Sequence, residues 1–583
     1  MKFRLLAALM LLALSIFPAA AREEYASEMD FSFSDREESG AYSERNACFI
    51  TGLGDSLLFD GKGISLTDGE LTISREGTYI FTGRLQDFTI IIAAGDEDKV
   101  QLVLNNAEIS NSRGPALYIR SADKVFITLP EGTENILSDG SAYSLTDNES
   151  TLDAAIFSKA DLCINGSGQM TVTGNYRHGI VSKDDLVIVS SALSITAREN
   201  GLEGKDCVKI SGADITIQAG ADGIQSDNAA ESHRGFIYLT GCSLNITAGN
   251  DGIQAETLLK TENTCLSILS GGGSSQPLGK SLDSFKGLKA GGDMILSGGE
   301  YAIQSRDDCI HANGSITMEG GTFYLASGDD GVHADGDLTV SGGDIHIAQS
   351  YEGMEASALR ISGGSIRITA SDDGLNGAGG SDGSGMGNRW GRGRFSRSTG
   401  SIEISGGHIL IQARGDGVDS NGNITLSGGV VLVSGAPSTG NNAFDFDGEA
   451  AVTGGVMMAL GGSGMARNVS RAENQGAMLV TFASQQAGIP LALCDEEGTA
   501  ILSFTPAYSY QCAVITAPEI REGGTYNLIA GADIPDADQD GFARNAPCTG
   551  GNILARITLD SLLYQNGNGR GGGWKNFRGP GGR

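Results

Sequence analysis

Ile210-Ser211-Gly212-Ala213-Asp214-Ile215-Thr216-Ile217-Gln218-Ala219, closed by Asp222-Gly223-Ile224-Gln225, is the phrase on which the fold turns. It joins a Ser-Gly turn, an alternating strand and an Asp-Gly corner. The corner returns as Asp251-Gly252-Ile253-Gln254, Asp308-Cys309-Ile310-His311 and Asp330-Gly331-Val332-His333. It returns again as Glu352-Gly353-Met354-Glu355, Asp373-Gly374-Leu375-Asn376 and Asp416-Gly417-Val418-Asp419, with weaker copies at His178-Gly179-Ile180 and Asn200-Gly201-Leu202. Positions 179, 201 and 223 are 22 residues apart, as are 309, 331 and 353. Each unit holds short period-2 strands between turn residues and no helical periodicity. A unit this short cannot bury its own apolar face, so successive units must stack strand on strand at about 4.8 Å. The predicted fold is all-β: a right-handed parallel β-helix of about 22 residues per coil. Leucine-rich and propeller repeats carry different signatures.

Longer gaps read as loops at one corner of the coil: Asn228 to Arg234, Gly271 to Ser275, and the Gly-rich excursion Gly377 to Gly400 with Trp390. The expected domains are a signal peptide at 1–21, a linker at 22–60, the β-helix at 61–450, a small β domain or cap at 451–560, and a basic Gly-rich tail at 561–583. The signal reading rests on Lys2 and Arg4 before the apolar run Leu5 to Phe17, followed by Ala19-Ala20-Ala21. It implies a secreted or cell-surface protein with no membrane span. The tail, with Trp574, is positioned to touch an acidic polymer or the cell surface.

Forty Lys and Arg stand against 71 Asp and Glu, a net charge of −31. Such a surface repels phosphate backbones, which excludes nucleic acid as a partner, and attracts divalent cations. The nine cysteines include no C-x-x-C pair. Cys163, Cys207, Cys242, Cys265 and Cys309 read as small buried hydrophobes, whereas one disulfide among Cys494, Cys512 and Cys548 is open.

In the corner phrase the apolar residue and the following Ala point inward and the polar residue between them points out. The Gly marks either a positive φ or a close backbone approach. The acids form a column, Asp222, Asp251, Asp308, Asp330, Glu352, Asp373 and Asp416, with Asp227, Glu256, Asn313 and Asp335 in another. Carboxylates about 5 Å apart repel by roughly 1 kcal/mol even in water. Ca²⁺, a hard cation that takes oxygen ligands, would offset this. Alternatively each Asp caps a turn through its backbone, a reading that is weaker for the doublets Asp307-Asp308, Asp329-Asp330 and Asp372-Asp373. The candidate metal ligands are therefore Asp222, Asp227, Asp251, Glu256, Asp307, Asp308, Asp329, Asp330, Asp335, Asp372, Asp373 and Asp416. Candidate sugar contacts are Gln225, Gln254, His311, His333 and Trp390, the last also readable as part of a flexible loop. Asp536-Ala537-Asp538-Gln539-Asp540-Gly541 opens like a Ca²⁺ loop but carries Pro547 at the twelfth position, so a non-EF loop and a plain acidic turn both stand.

The segments Asp98 to Ile109, Ala116 to Ile119, Ser121 to Leu129, Gly132 to Asp139, Ala155 to Leu162, Asn165 to Gly168 and Ser182 to Leu186, followed by the corner repeats, cover roughly residues 60 to 450. Together they resemble a bacterial family of secreted carbohydrate-binding β-helix proteins. The resemblance implies a pectate-lyase-like fold, bound Ca²⁺ and plant-type polysaccharides such as cellulose or polygalacturonate as partners. Glu352 and Cys309 depart from the pattern. Three readings are weighed: a noncatalytic carbohydrate-binding protein, a Ca²⁺-dependent polysaccharide lyase using an Arg or Lys base among Arg177, Lys183, Arg198, Lys205, Lys286 and Arg306, and a structural adhesin. The resemblance favours the first.

Overall fold

A computed structural model describes residues 28–144, 151–277, 283–378, 400–437 and 440–566. The chain divides into two compact units, broadly residues 1–322 and 323–583. The expected signal peptide, Trp390 and the tail from residue 567 on fall outside the described residues; the first residues assigned to that tail instead form the strand Leu563–Gln565, paired in parallel with Gly476–Gln485. Among the described residues no helix is long and apolar enough to cross a membrane.

The first unit opens with two antiparallel hairpins, Cys48–Gly54 with Leu57–Phe59 and Ile64–Thr67 with Glu70–Ile73. It then settles into three-stranded coils such as Leu202–Gly204, Cys207–Ser211 and Asp214–Ala219. Each of these strands pairs in parallel with its equivalent one coil on, so the corner residues Ile180, Leu202, Ile224, Ile253, Leu288 and Ile310 form one column. Leu193, Ile215, Leu244, Leu266 and Tyr301 form another, and all are buried. Each such aliphatic side chain contributes about 1.5–3 kcal/mol by leaving water. The Asn228 to Arg234 insertion leaves the coil after strand Ile224–Ser226 and rejoins it at Phe236–Thr240, as expected of a corner loop.

Residues of the expected N-terminal linker from Met29 onward are packed against this unit. Phe31 meets Phe236 and Tyr238 with ring centroids 5.4 and 5.2 Å apart. Glu37, held in a capped turn by Ser34, pairs with Lys124 at 2.7 Å. Asn165 closes the contact by donating to the carbonyls of Arg36 and Glu37.

The corner glycines are there for space. None of Gly201, Gly223 and Gly252 has a positive φ, yet a Cβ on Gly223 would collide with Ile246 Cγ2 and lie 2.5 Å from the Gly252 carbonyl oxygen. The left-handed conformation belongs instead to the second Gly of the Ser-Gly-Gly turns, as at Gly364 (φ +92°) and Gly407 (φ +85°). Gly223→Ala should therefore destabilise the coil by about 1–3 kcal/mol through overpacking. A chemical-denaturation midpoint unchanged from wild type would refute this.

The second unit continues the same construction through Val332–Val340, Met354–Ile361, Leu375–Gly377 and Val418–Ser420, with Val332, Met354, Leu375 and Val418 in register. Parallel stacking runs on to Val456–Gly461. That strand then pairs antiparallel with Tyr510–Ala517, and only from Leu491 does a separate five-stranded antiparallel sheet form. The expected cap over 451–560 thus shares its first strands with the coil. Leu432, Met458, Met478, Leu493 and Phe504 pack into one core that closes the coil's apolar end. The acidic loop at 536–541 is a turn. Asp538 accepts the amides of Asp540 and Phe542, and both Asp540 oxygens are bound by Arg367 at 3.0 and 2.5 Å.

No disulfide forms among the nine cysteines. The thiols of Cys494 and Cys548 are neighbours. Cys163, Cys207, Cys242 and Cys309 are buried, but Cys265 is exposed. It starts the strand Cys265–Ser270 in its outward phase, in register with Ser243 and Glu300.

Candidate functional site: an acidic corner ladder

The corner acids form a hydrogen-bonded ladder. His178 Nδ1 accepts the amide of Asn200 at 3.1 Å, Asn200 Oδ1 that of Asp222 at 3.2 Å, Asp222 Oδ1 that of Asp251 at 3.0 Å, and Asp251 Oδ1 that of Lys286 at 2.7 Å. In the second unit Asp330 Oδ1 accepts the Glu352 amide at 3.1 Å and Asp373 Oδ1 the Asp416 amide at 2.6 Å. Asp416 then accepts the amide of Asn442. Each rung binds the backbone of the next coil, where the sequence suggested a cap on its own turn. One carboxylate oxygen is spent on the fold and the other is left for chemistry.

In the first unit that second oxygen largely meets lysine. Lys286 occupies the acid position of its coil, and its ammonium lies 2.5 Å from Asp308 Oδ2 and 3.2 Å from Asp307 Oδ1. Burial opposes this charge, but the two carboxylates more than offset that and hold it well above the ordinary lysine range. Lys289, in register with Gln254 and His311, reaches Asp251 Oδ2 at 3.0 Å. A lysine side chain accepts no hydrogen bond, and Asp307 supplies the missing acceptor to the Asp308 amide at 3.1 Å. That explains one acid doublet without a metal. Asp222 has no ion pair among the described residues, and burial followed by Asp251 pushes its carboxyl up to about 7. Asp227 is exposed and Glu256 half-buried; desolvation raises both carboxyls, with Glu203 adding to the shift of Asp227 and Asp227 to that of Glu256.

The polar row does not all face out. Gln225 and Gln254 are half-buried, and Gln225 accepts from Asn200 at 2.7 Å. His311, His333 and Asn376 are buried beneath flanking acids. His311 contacts Asp308 at 2.8 Å and Asn313 at 3.1 Å. His333 is enclosed by Asp330 and Glu355 at Nδ1, 3.2 and 3.3 Å away, and by Asp335 at Nε2, 3.2 Å away. Neither ring presents a flat face to a sugar. The inward alanines Ala255, Ala290, Ala312, Ala334 and Ala356 are buried as expected.

The acids of the second unit carry the most unbalanced charge. The outward row there runs Glu355, Asn376, Asp419, in register, and continues at Asp445 through the bridge of Val418 to Phe444. Asp416, Asp419 and Asp445 each bring an oxygen within 4.8 Å of the others. Arg467 lies 3.5 Å from Asp445. Burial, then neighbouring carboxylates, pushes Asp419 up to about 6. Burial does the same to Asp416, to about 6, and to Asp373, to about 7, against the backbone amides that each accepts. Burial, Glu355 and Asp330 raise Glu352 to about 10. Between these acids sits Asn376. Its Nδ2 donates to Glu352 at 2.7 Å, while its buried Oδ1 has no hydrogen-bond partner among the described residues. Of the expected ligands, Asp373 and Asp416 belong to this group, with Asp372 beside them. The sequence pattern does not single out Asp419 and Asp445 as members of this group. Asp445 belongs to a degenerate corner, Asn442-Ala443-Phe444-Asp445, whose Gly is replaced by Ala.

The fold and this site define a parallel β-helix with an acidic wall. A family model described as carbohydrate-binding domain-containing protein matches residues 67–331 and 329–474. The chain belongs to that family. A carbohydrate-binding domain-containing protein of Acetivibrio thermocellus (strain ATCC 27405) is 36% identical over 136 residues, which make up 23% of this chain and 48% of that protein. The chain thus spans about half the length of the curated relative it matches. A solved structure described as the polysaccharide lyase-like protein from C. thermocellum, a gadolinium derivative, is 33% identical with a TM-score of 0.38, covering 39% of this chain and 92% of that one.

Proposed function

We propose that the protein is a secreted, noncatalytic binder of acidic plant-type polysaccharide that bridges uronate carboxylates through Ca²⁺ on the wall around Asn376. The observation that carries this reading is the buried Asn376 Oδ1, set between carboxylates and without a hydrogen-bond partner among the described residues. An acceptor surrounded by acceptors is a costly arrangement in water-poor surroundings. A hard cation is the partner that suits every one of these oxygens at once. Asp373, Asn376, Asp416, Asp419 and Asp445 would hold it. Bound there, the ion would supply a positive charge that a polymer carboxylate can share.

A lyase would need a cation free to surrender its proton. Lys286 is held charged by Asp307 and Asp308, Lys183 pairs with Glu203 at 2.7 Å, and Arg177 binds Glu199 and Asp153. These pairings tie up three of the six candidate bases and to that extent support the noncatalytic reading.

Polygalacturonate beads should retain the wild-type protein in CaCl₂ and release it in EDTA, with no unsaturated product formed. Asp419→Asn with Asp445→Asn should weaken retention at least tenfold. Retention indifferent to EDTA and to these substitutions would overturn the calcium bridge, and product formation would make the protein a lyase. No retention at all would leave the adhesin.

A further inference from the structure

The buried pair of Lys286 and Asp308 has a geometry that an ion pair alone does not require. The two residues hold the acid positions of successive corners, and the coils are locked together there. Leu288 and Ala290 stack on Ile310 and Ala312, and the Gly287 amide donates to the Asp308 carbonyl at 3.0 Å. Lys286 Nζ lies 2.5 Å from Asp308 Oδ2, with the two side chains 4% and 0% exposed. A C–O bond of about 1.2 Å then puts Asp308 Cγ within about 3.7 Å of the nitrogen. Groups held about 3–3.5 Å apart are poised to react.

Two further side chains face the same atoms. Asp307 Oδ1 is 3.2 Å from Lys286 Nζ, placed to receive a proton from it. His311 Nδ1 is 2.8 Å from Asp308 Oδ2, and its Nε2 faces Asn313 Oδ1 at 3.1 Å. The imidazolium form donates at both contacts. A nucleophile, an acyl carbon, a proton acceptor beside the first and a proton donor at the oxygen of the second thus meet in one water-poor corner. By contrast, Lys289 beside Asp251 and Lys183 beside Glu203 are more open to water.

We infer that Lys286 and Asp308 condense into an isopeptide bond that staples adjacent coils. Asp307 takes a proton from the ammonium, the freed amine attacks Asp308 Cγ, and His311 protonates Oδ2 as its bond to Cγ breaks. In total Nζ gives up two protons and Oδ2 leaves with two as water, so Asp307 and His311 end as they began and no oxidant is consumed. The ion pair is the state before condensation. In bulk water separate ions are favoured over the amide. In this corner the fold has already brought the groups together, and the reaction removes two charges that burial disfavours. The amide ties residue 286 to residue 308, which restricts the unfolded chain and keeps one coil from peeling off the next. None of the residues assigned to the calcium wall takes part.

The test is tryptic mapping of the denatured full chain by mass spectrometry. A branched peptide should join the segment holding Lys286 to the one that begins at Asp307, lighter by one water than their sum, and fragmentation should place the link between Lys286 and Asp308. Lys286→Arg, which keeps the charge but offers no amine, should abolish it. Asp307→Asn should lower the linked fraction at a fixed time after synthesis at least tenfold. Wild-type peptides found only unlinked would overturn the bond and leave the pair ionic, a result that needs no variant to fold. A link through Lys289, or to Asp307, would overturn the choice of partners. Undiminished linking in Asp307→Asn with a wild-type circular dichroism spectrum would overturn the part given to Asp307.

Discussion

Lys286→Met should lower the stability of the protein by about 3–5 kcal/mol, the usual cost of removing one partner from a buried ion pair. Lys286 is 3% exposed and Asp308 is fully buried, so bulk water cannot take over the ammonium's role beside the two carboxylates. The loss should concentrate in the coils on either side, because a stacked repeat transmits strain chiefly to its neighbours. Hydrogen exchange reports it directly. The Gly287 amide, bonded to the Asp308 carbonyl at 3.0 Å, should lose protection before the amides near residue 180. Asp308→Asn in the same chain should recover part of the loss, giving a coupling energy above about 1 kcal/mol. A Lys286→Met variant as stable as wild type would show that the lysine does not balance the ladder.

In EDTA the protein should lose stability as pH rises from about 4 to about 7, and Ca²⁺ should restore it most strongly at the upper end. Asp373, Asp416 and Asp419 stand at about 7, 6 and 6 in the fold, whereas an unfolded chain titrates Asp near 3.9. Between those values the native state binds more protons than the unfolded one, and stability falls with rising pH. The combined effect is on the order of several kcal/mol. A cation at 100 times its Kd returns about 2.7 kcal/mol per site. Melting curves at several pH values, with EDTA and with CaCl₂, measure both. A melting temperature that climbs with pH in EDTA would contradict the prediction.

The coil was legible because the Asp-Gly-apolar phrase recurs at a nearly fixed interval and its apolar positions alternate with period 2. The acid column was legible for the same reason. What the phrase could not show is how each carboxylate is used. The bond from Asp222 to the Asp251 amide spans 29 residues and depends on the register of stacked coils. Lys286 was visible as a cation near the column, but its role requires knowing that Asp307 and Asp308 close around it. The alternation places His333 outward, whereas Asp330 of its own corner and Glu355 of the next one enclose it. Asp445 escaped because Ala443 interrupts the glycine pattern.

A rung of the ladder asks of its successor only a peptide N–H. The successor's side chain is therefore free to drift, as His178, Asn200, Asp222, Asp251 and Lys286 show along one column. Proline alone, having no amide hydrogen, is barred from the donor positions. A lineage of such chains can accordingly gain or lose whole turns by tandem duplication while the corner chemistry is rewritten residue by residue.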